Sequence, residues 1–210
     1  MLLLRSVFAI LAVLVLPAQS SFAQSSTDHA QYMRVHGRAL PPFGFVQFCR
    51  RHSDECAPSE QTSLARFDAT PAHLSELDRV NRAINASVSP VTDRELYGQE
   101  EFWTFPVGQG DCEDYVVLKR RILMNLGWPA GALLITVVRD EAGDGHAVLT
   151  ARTRQGDFVL DNKVDDVLLW SQTPYRYLMR QSYLNPQLWM ALDPRASQSA
   201  ATVAGVNATE

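Results

Sequence analysis

Three residues whose types fit one kind of chemistry occur in the order Cys112, His146, Asp161. A cysteine attacks as its thiolate, an imidazole can take the thiol proton, and a carboxylate can fix the imidazole tautomer. Cys112 lies in Gly110-Asp111-Cys112-Glu113-Asp114-Tyr115, which reads as a glycine turn entering a helix that stops at Gly127-Trp128-Pro129. Asp111 stands where an N-cap would, and Glu113 and Asp114 fall in the first turn, near the positive end of the helix dipole. Val116, Leu123 and Met124 supply an apolar stripe at near-helical spacing. Amides at a helix start favour an anion and so favour thiolate. The acidic flanks oppose it unless a positive charge neutralises them.

The elements after this helix read as strands. Leu133 to Val138 is an apolar, β-branched run suited to a buried central strand, and Asp140 to Gly145 has turn chemistry. His146 opens a second strand to Ala151, and Asp161 closes a third from Phe158. The midpoint of 146 and 161 falls at Thr153-Arg154, so a two-residue turn there sets the pair directly opposite one another. Gly156 lies off that centre, and a bulged or longer loop slips the register by a residue or two. Spacing therefore permits the pair without requiring it. Each residue also has an ordinary reading: packing for the cysteine, surface for a strand-edge histidine, a turn start for Asp161-Asn162. Alternation from Tyr175 to Tyr183 suggests a fourth strand, with a helix opened by Thr173-Pro174 as the alternative.

Upstream, Thr70-Pro71 starts a helix to about Ala86 whose apolar face carries Leu74, Leu77, Val80 and Ile84. Asn81 and Asn85, one turn apart beside that face, are suited to binding the backbone of a loop, with a substrate-binding role as the alternative. Pro41 to Cys49 alternates aromatic with small or polar residues and suggests an extended segment. Residues 87–109 show no period, and Trp103 within them either walls a cleft or packs in the core. Residues 24–40 read as a flexible segment, 41–192 as the folded domain and 193–210 as a disordered tail.

A chain of 210 residues, 46% hydrophobic, can bury one sizeable core. A formal charge of −4 with scattered Lys and Arg gives no reason to expect a nucleic-acid partner. Residues 1–23 read as a signal peptide: a basic start, an apolar run from Ser6 to Leu16 too short for a bilayer, and Ser21-Phe22-Ala23 for cleavage. An uncleaved anchor is the alternative. Export permits a Cys49–Cys56 disulfide, with two free thiols as the other reading, and leaves Cys112 odd.

The motif Gly-Asp-Cys-Glu-Asp-Tyr at 110–115, with Lys119-Arg120, Gly145-His146-Ala147-Val148-Leu149 and Val159-Leu160-Asp161-Asn162, resembles the bacterial transglutaminase-like cysteine proteinases, the periplasmic LapG-type proteases. The resemblance runs from about Pro42 to Trp189. It implies an α+β fold with a papain-like, transglutaminase-type core, in which a nucleophile-bearing helix packs on an antiparallel sheet. It implies a Cys112–His146–Asp161 triad and a calcium ion held by Asp111 and Glu113, with Asp114 as a weaker candidate. It further implies a large outer-membrane adhesin as substrate and an inner-membrane cyclic-di-GMP receptor as restraining partner. An acyl-transferring transglutaminase or cell-wall amidase uses the same triad, and a non-catalytic binding module would keep the scaffold without needing the thiol.

Overall fold

The computed structural model describes residues 31–58 and 66–195. The expected signal peptide at 1–23 lies outside them, as do residues 24–30 and 196–210 of the two expected irregular ends.

The apolar run after the cysteine helix forms β4 (Leu133–Arg139), buried along most of its length as a central strand must be. It pairs with β5 (Gly145–Thr153) on one side and β8 (Arg176–Gln181) on the other. Beyond β5 come β6 (Gly156–Leu160) and β7 (Leu168–Leu169); beyond β8 come β9 (Trp189–Ala191) and the edge strand β1 (Gly37–Ala39). All seven strands are antiparallel to their neighbours. The fourth strand read from the tyrosine alternation is β8. Thr173 opens no helix there, because its Oγ1 donates to Trp170 O at 2.8 Å and closes a turn.

One face of the sheet carries the main core. The cysteine helix, α4 (Cys112–Asn125), packs on β5, and α2 (Pro71–Ser87) packs on α4. Leu77, Leu123, Leu133, Leu149 and Leu160 are sealed between these layers. Truncating such a leucine to alanine costs roughly 2–5 kcal/mol. The other face carries a smaller cluster of Met33, Val138, Val148, Val159 and Tyr177. α2 begins as its sequence dictates: Thr70 Oγ1 accepts from His73 N at 3.3 Å, and Pro71 fills the first helical position.

Several expectations need correction. Residues 43–51 are not extended; they form α1 (Phe43–Arg51), which buries Gly44, Phe45 and Phe48. That burial has helical spacing, and the alternation of Phe43 with Phe45 concealed it. Cys49, near its end, is disulfide-bonded to Cys56 in the 3-10 turn Ser53–Cys56, with the Cα atoms 5.6 Å apart. Residues 31–40 are not free: β1 pairs with β9, and Met33 N donates to Asp157 Oδ2 at 2.8 Å. These ties are long-range, which local periodicity does not report. The start of the expected tail is also held, since Asp193 is buried and its Oδ1 accepts from Arg195 N at 2.9 Å.

Residues 87–109, expected to be irregular, contain β2 (Ser89–Pro90), α3 (Asp93–Tyr97) and the start of β3 (Gln109–Gly110). β2 and β3 pair in parallel, and Val91 N donates to Gly110 O at 3.0 Å. This small ladder sets the start of α3 against the start of α4. Trp103, in the loop after α3, is buried in the core.

Candidate active site

Cys112 is the first residue of α4, with Asp111 in the N-cap position. Asp111 does not cap through its side chain as expected. Its Oδ2 instead accepts from Asp93 N at 3.2 Å, drawing the first residue of α3 to the first turn of α4. The Cys112 sulfur is half-buried between two hydrogen bonds. Its thiol donates to Glu113 Oε2 at 3.1 Å, and it accepts from Ala147 N at 3.4 Å. Burial first, then the Glu113 carboxylate, push the thiol well above its usual range, while the Ala147 amide pulls the other way.

His146, one residue before Ala147, is buried, and its Nε2 lies 2.9 Å from Asp161 Oδ1. The pair is not directly opposite. Thr153 pairs with Gly156 and Leu149 with Leu160, so the turn falls at Arg154-Gln155, one residue later than the midpoint. The reason lies at Gly156, where φ is +144° and an added Cβ would stand 2.5 Å from Leu169 Cδ2. Glycine suits that backbone, and its pairing with Thr153 places it in the strand rather than the turn. Continuing the ladder by one pair sets Asp161 opposite Val148. His146 is then a diagonal neighbour, two residues along and still on the same face.

Asp161 is bonded on every side. Oδ1 also accepts from Lys163 N at 2.9 Å, and Oδ2 accepts from the Tyr175 hydroxyl at 2.5 Å. Burial works to raise its pKa, but the His146 bond and charge, the Lys163 amide and Tyr175 outweigh that and hold it below the ordinary value. The Tyr175 ring meets His146 edge-on, with centroids 5.6 Å apart. Sequence reading missed Tyr175, whose alternation signalled a strand but not a role.

Beside the sulfur lies a group of carboxylates. Asp93, Asp111 and Glu113 each offer one oxygen, all within 4.8 Å of one another. Asp93 was not anticipated. Its signal was available in Thr92 and Glu95, a capping box that marks a helix start and fixes Asp93 as its first residue. Asp93 also accepts from Phe102 N through Oδ2. Asp114, expected as a weaker member, stands apart: its Oδ1 accepts from Thr104 N at 2.7 Å. Burial, then repulsion from Asp111, push Glu113 up to about 9, and burial pushes Asp114 up to about 7. Burial likewise raises Asp93 and Asp111. Among the described carboxylates, Asp93 Oδ1, Asp111 Oδ1 and Asp114 Oδ2 are buried with no hydrogen-bond partner. Buried oxygens without donors, in a cluster whose charges repel, are the donor set a hard dication takes. The residues fit calcium.

Two solved structures of LapG from Legionella pneumophila resemble the chain. The calcium-bound one is 25% identical over 60% of this chain and 72% of its own, with a TM-score of 0.49. The EGTA-treated one is 26% identical over 59% and 69%, with a TM-score of 0.48. No curated protein matches the chain. A family model described as bacterial transglutaminase-like cysteine proteinase matches residues 35–197. That span runs from before β1 to beyond β9 and takes in Cys112, His146 and Asp161 together; the chain belongs to the bacterial transglutaminase-like cysteine proteinases.

Proposed function

We propose that the protein is a calcium-dependent cysteine endopeptidase of the periplasm, with Cys112 as nucleophile, His146 as general base and Asp161 as the residue that orients it. The observation that carries this reading is the 2.9 Å bond from His146 Nε2 to Asp161 Oδ1, beside an amide, Ala147 N, that reaches Cys112 Sγ. An ionised carboxylate only accepts, so Nε2 carries the proton and Nδ1 is the basic nitrogen. His146 Nδ1 takes the Cys112 proton, and the thiolate attacks the peptide carbonyl carbon. The first-turn amides of α4 have no partner within the helix and are suited to the oxyanion. The amine leaves with the proton from His146, and water then hydrolyses the thioester, restoring the thiol.

Asp93, Asp111 and Glu113 would hold the calcium ion. Bound there, it would supply positive charge that offsets the carboxylates beside the thiol. The periplasmic location is supported by the apolar, basic-started sequence 1–23 and by the Cys49–Cys56 disulfide, which suits an oxidising compartment. No described helix is long and apolar enough to cross a membrane. The family resemblance supports the N-terminal region of a large outer-membrane adhesin as the substrate, for control of biofilm attachment, and an inner-membrane cyclic-di-GMP receptor as regulator.

The test is to incubate the mature protein with outer membranes of its own source, with calcium or with EGTA, beside Cys112→Ala. New N-termini read by mass spectrometry should fall near the start of one large surface protein, only with calcium and the intact cysteine. Products carrying an added amine instead of water would replace hydrolysis by acyl transfer. Identical peptide maps in all arms would overturn the reading.

A further inference from the structure

Lys119, in the middle of α4, is fully buried. Its Nζ donates to Asn81 Oδ1 and to Asn85 Oδ1, both at 2.7 Å, and lies 5.6 Å from the centre of the Tyr115 ring. The two asparagines come from α2 and pass the contact on. Asn81 Nδ2 donates to Val164 O and Asp165 O, each at 2.9 Å. Asn85 Nδ2 donates to Asp161 O at 2.9 Å and to Asp165 Oδ1 at 3.0 Å. One buried ammonium thus joins α4, α2 and the loop that follows β6, and that loop carries Asp161.

We infer that Lys119 is a positioning residue for Asp161, acting through Asn81 and Asn85. The reasoning is one of donors and acceptors. An ammonium has three donors and no acceptor, so both asparagines must turn their oxygens toward it. Their NH2 groups are thereby aimed at the loop, where backbone carbonyls can only accept. With an apolar side chain at 119, each buried asparagine oxygen loses its donor, and the amide is then held only from the loop side. Burying an ammonium against amide oxygens is costly, and apolar packing would hold two helices together at less cost. The charge serves to fix the direction of the two amides, and so the backbone of Asp161. The carboxylate is aligned on the other side by Lys163 N and by Tyr175. The inference rests on the triad reading above, because it concerns how Asp161 meets His146.

The test measures iodoacetamide alkylation of Cys112 near pH 6 in the full mature chain with calcium, a rate that reports the thiolate–imidazole pair without needing the substrate. Lys119→Met should slow it roughly ten- to hundredfold, as misplacement of a catalytic group does. In an Asp161→Ala background the same substitution should slow it by less than about twofold, since residues acting as one unit are not additive. An equal loss in both backgrounds means a general structural effect and overturns the inference, as does no loss in either. If Lys119→Met fails to fold, Asn85→Ala at its half-buried position, which removes the donor to Asp161 O together with the bonds to Asp165 and Lys119, must show the same background dependence, and its absence overturns the inference too. Failure of the parent reading looks different: wild-type Cys112 then labels like an ordinary thiol and is indifferent to His146→Ala, and the inference falls with it.

Discussion

At the scale of single residues, the site is a contest over one sulfur. Glu113 takes the Cys112 proton into a hydrogen bond and disfavours thiolate, while Ala147 N favours it. In the proposed mechanism His146 wins that proton only while Asp161 holds its ring. Asp161→Ala should therefore lower kcat by about 10² or more with KM changed less than about threefold, the pattern of an interaction made in the transition state. A parallel rise in KM would assign Asp161 to substrate binding instead. Asp93 tests the carboxylate cluster independently of the sulfur. Asp93→Asn should weaken calcium binding at least about tenfold by calorimetry, because it removes a charged oxygen ligand. Unchanged affinity would exclude it as a ligand. Cysteine, histidine and aspartate announce the chemistry they suit, so those three could be read as candidates. Asp93 announced its helix start through Thr92 and Glu95 but not its bond to Asp111, and Tyr175 did not announce its bond to Asp161, because those partners are distant in sequence.

At the scale of elements, local signals read well where one residue type decides the backbone. Thr70 and Pro71 announced α2, and the apolar run announced β4. The His146–Asp161 register came out two residues from directly opposite, because Gly156 pairs with Thr153 as the first residue of β6. The even offset kept both side chains on one face, so the pair survived the misplaced turn. α1 was misread because aromatic alternation and Pro41-Pro42 imitate a strand. Its packing gives a test: a Cβ at Gly44 would meet Trp103 Cδ1, closer than any ordinary contact. Gly44→Ala should destabilise the protein by about 1–3 kcal/mol in urea unfolding, the cost of overpacking a core. An unchanged midpoint would mean that Trp103 moves aside freely.

At the scale of the whole molecule, the sheet and its two helices bury several charged groups, and Lys119 links stability to pH. Burial pushes its amine down to about 7. An unfolded lysine titrates near ~10.4. Between those values the unfolded chain binds the extra proton, so this group's contribution to stability rises with pH from about 7 toward 10 and is flat below 7. Urea midpoints should show that positive slope in the wild-type protein and lose it in Lys119→Met. A slope unaltered by the substitution would mean that Lys119 keeps an ordinary pKa.

The proposed mechanism makes Cys112 a nucleophile armed by His146 and by calcium. Iodoacetamide alkylation of Cys112 against pH, in wild type and His146→Ala, with calcium and with chelator, tests it most directly. The calcium-loaded wild type should label fast well below the ~8.5 of an ordinary thiol. Labelling should be slow when either the imidazole or the ion is removed. Labelling that follows an ordinary thiol curve in all four arms would contradict it.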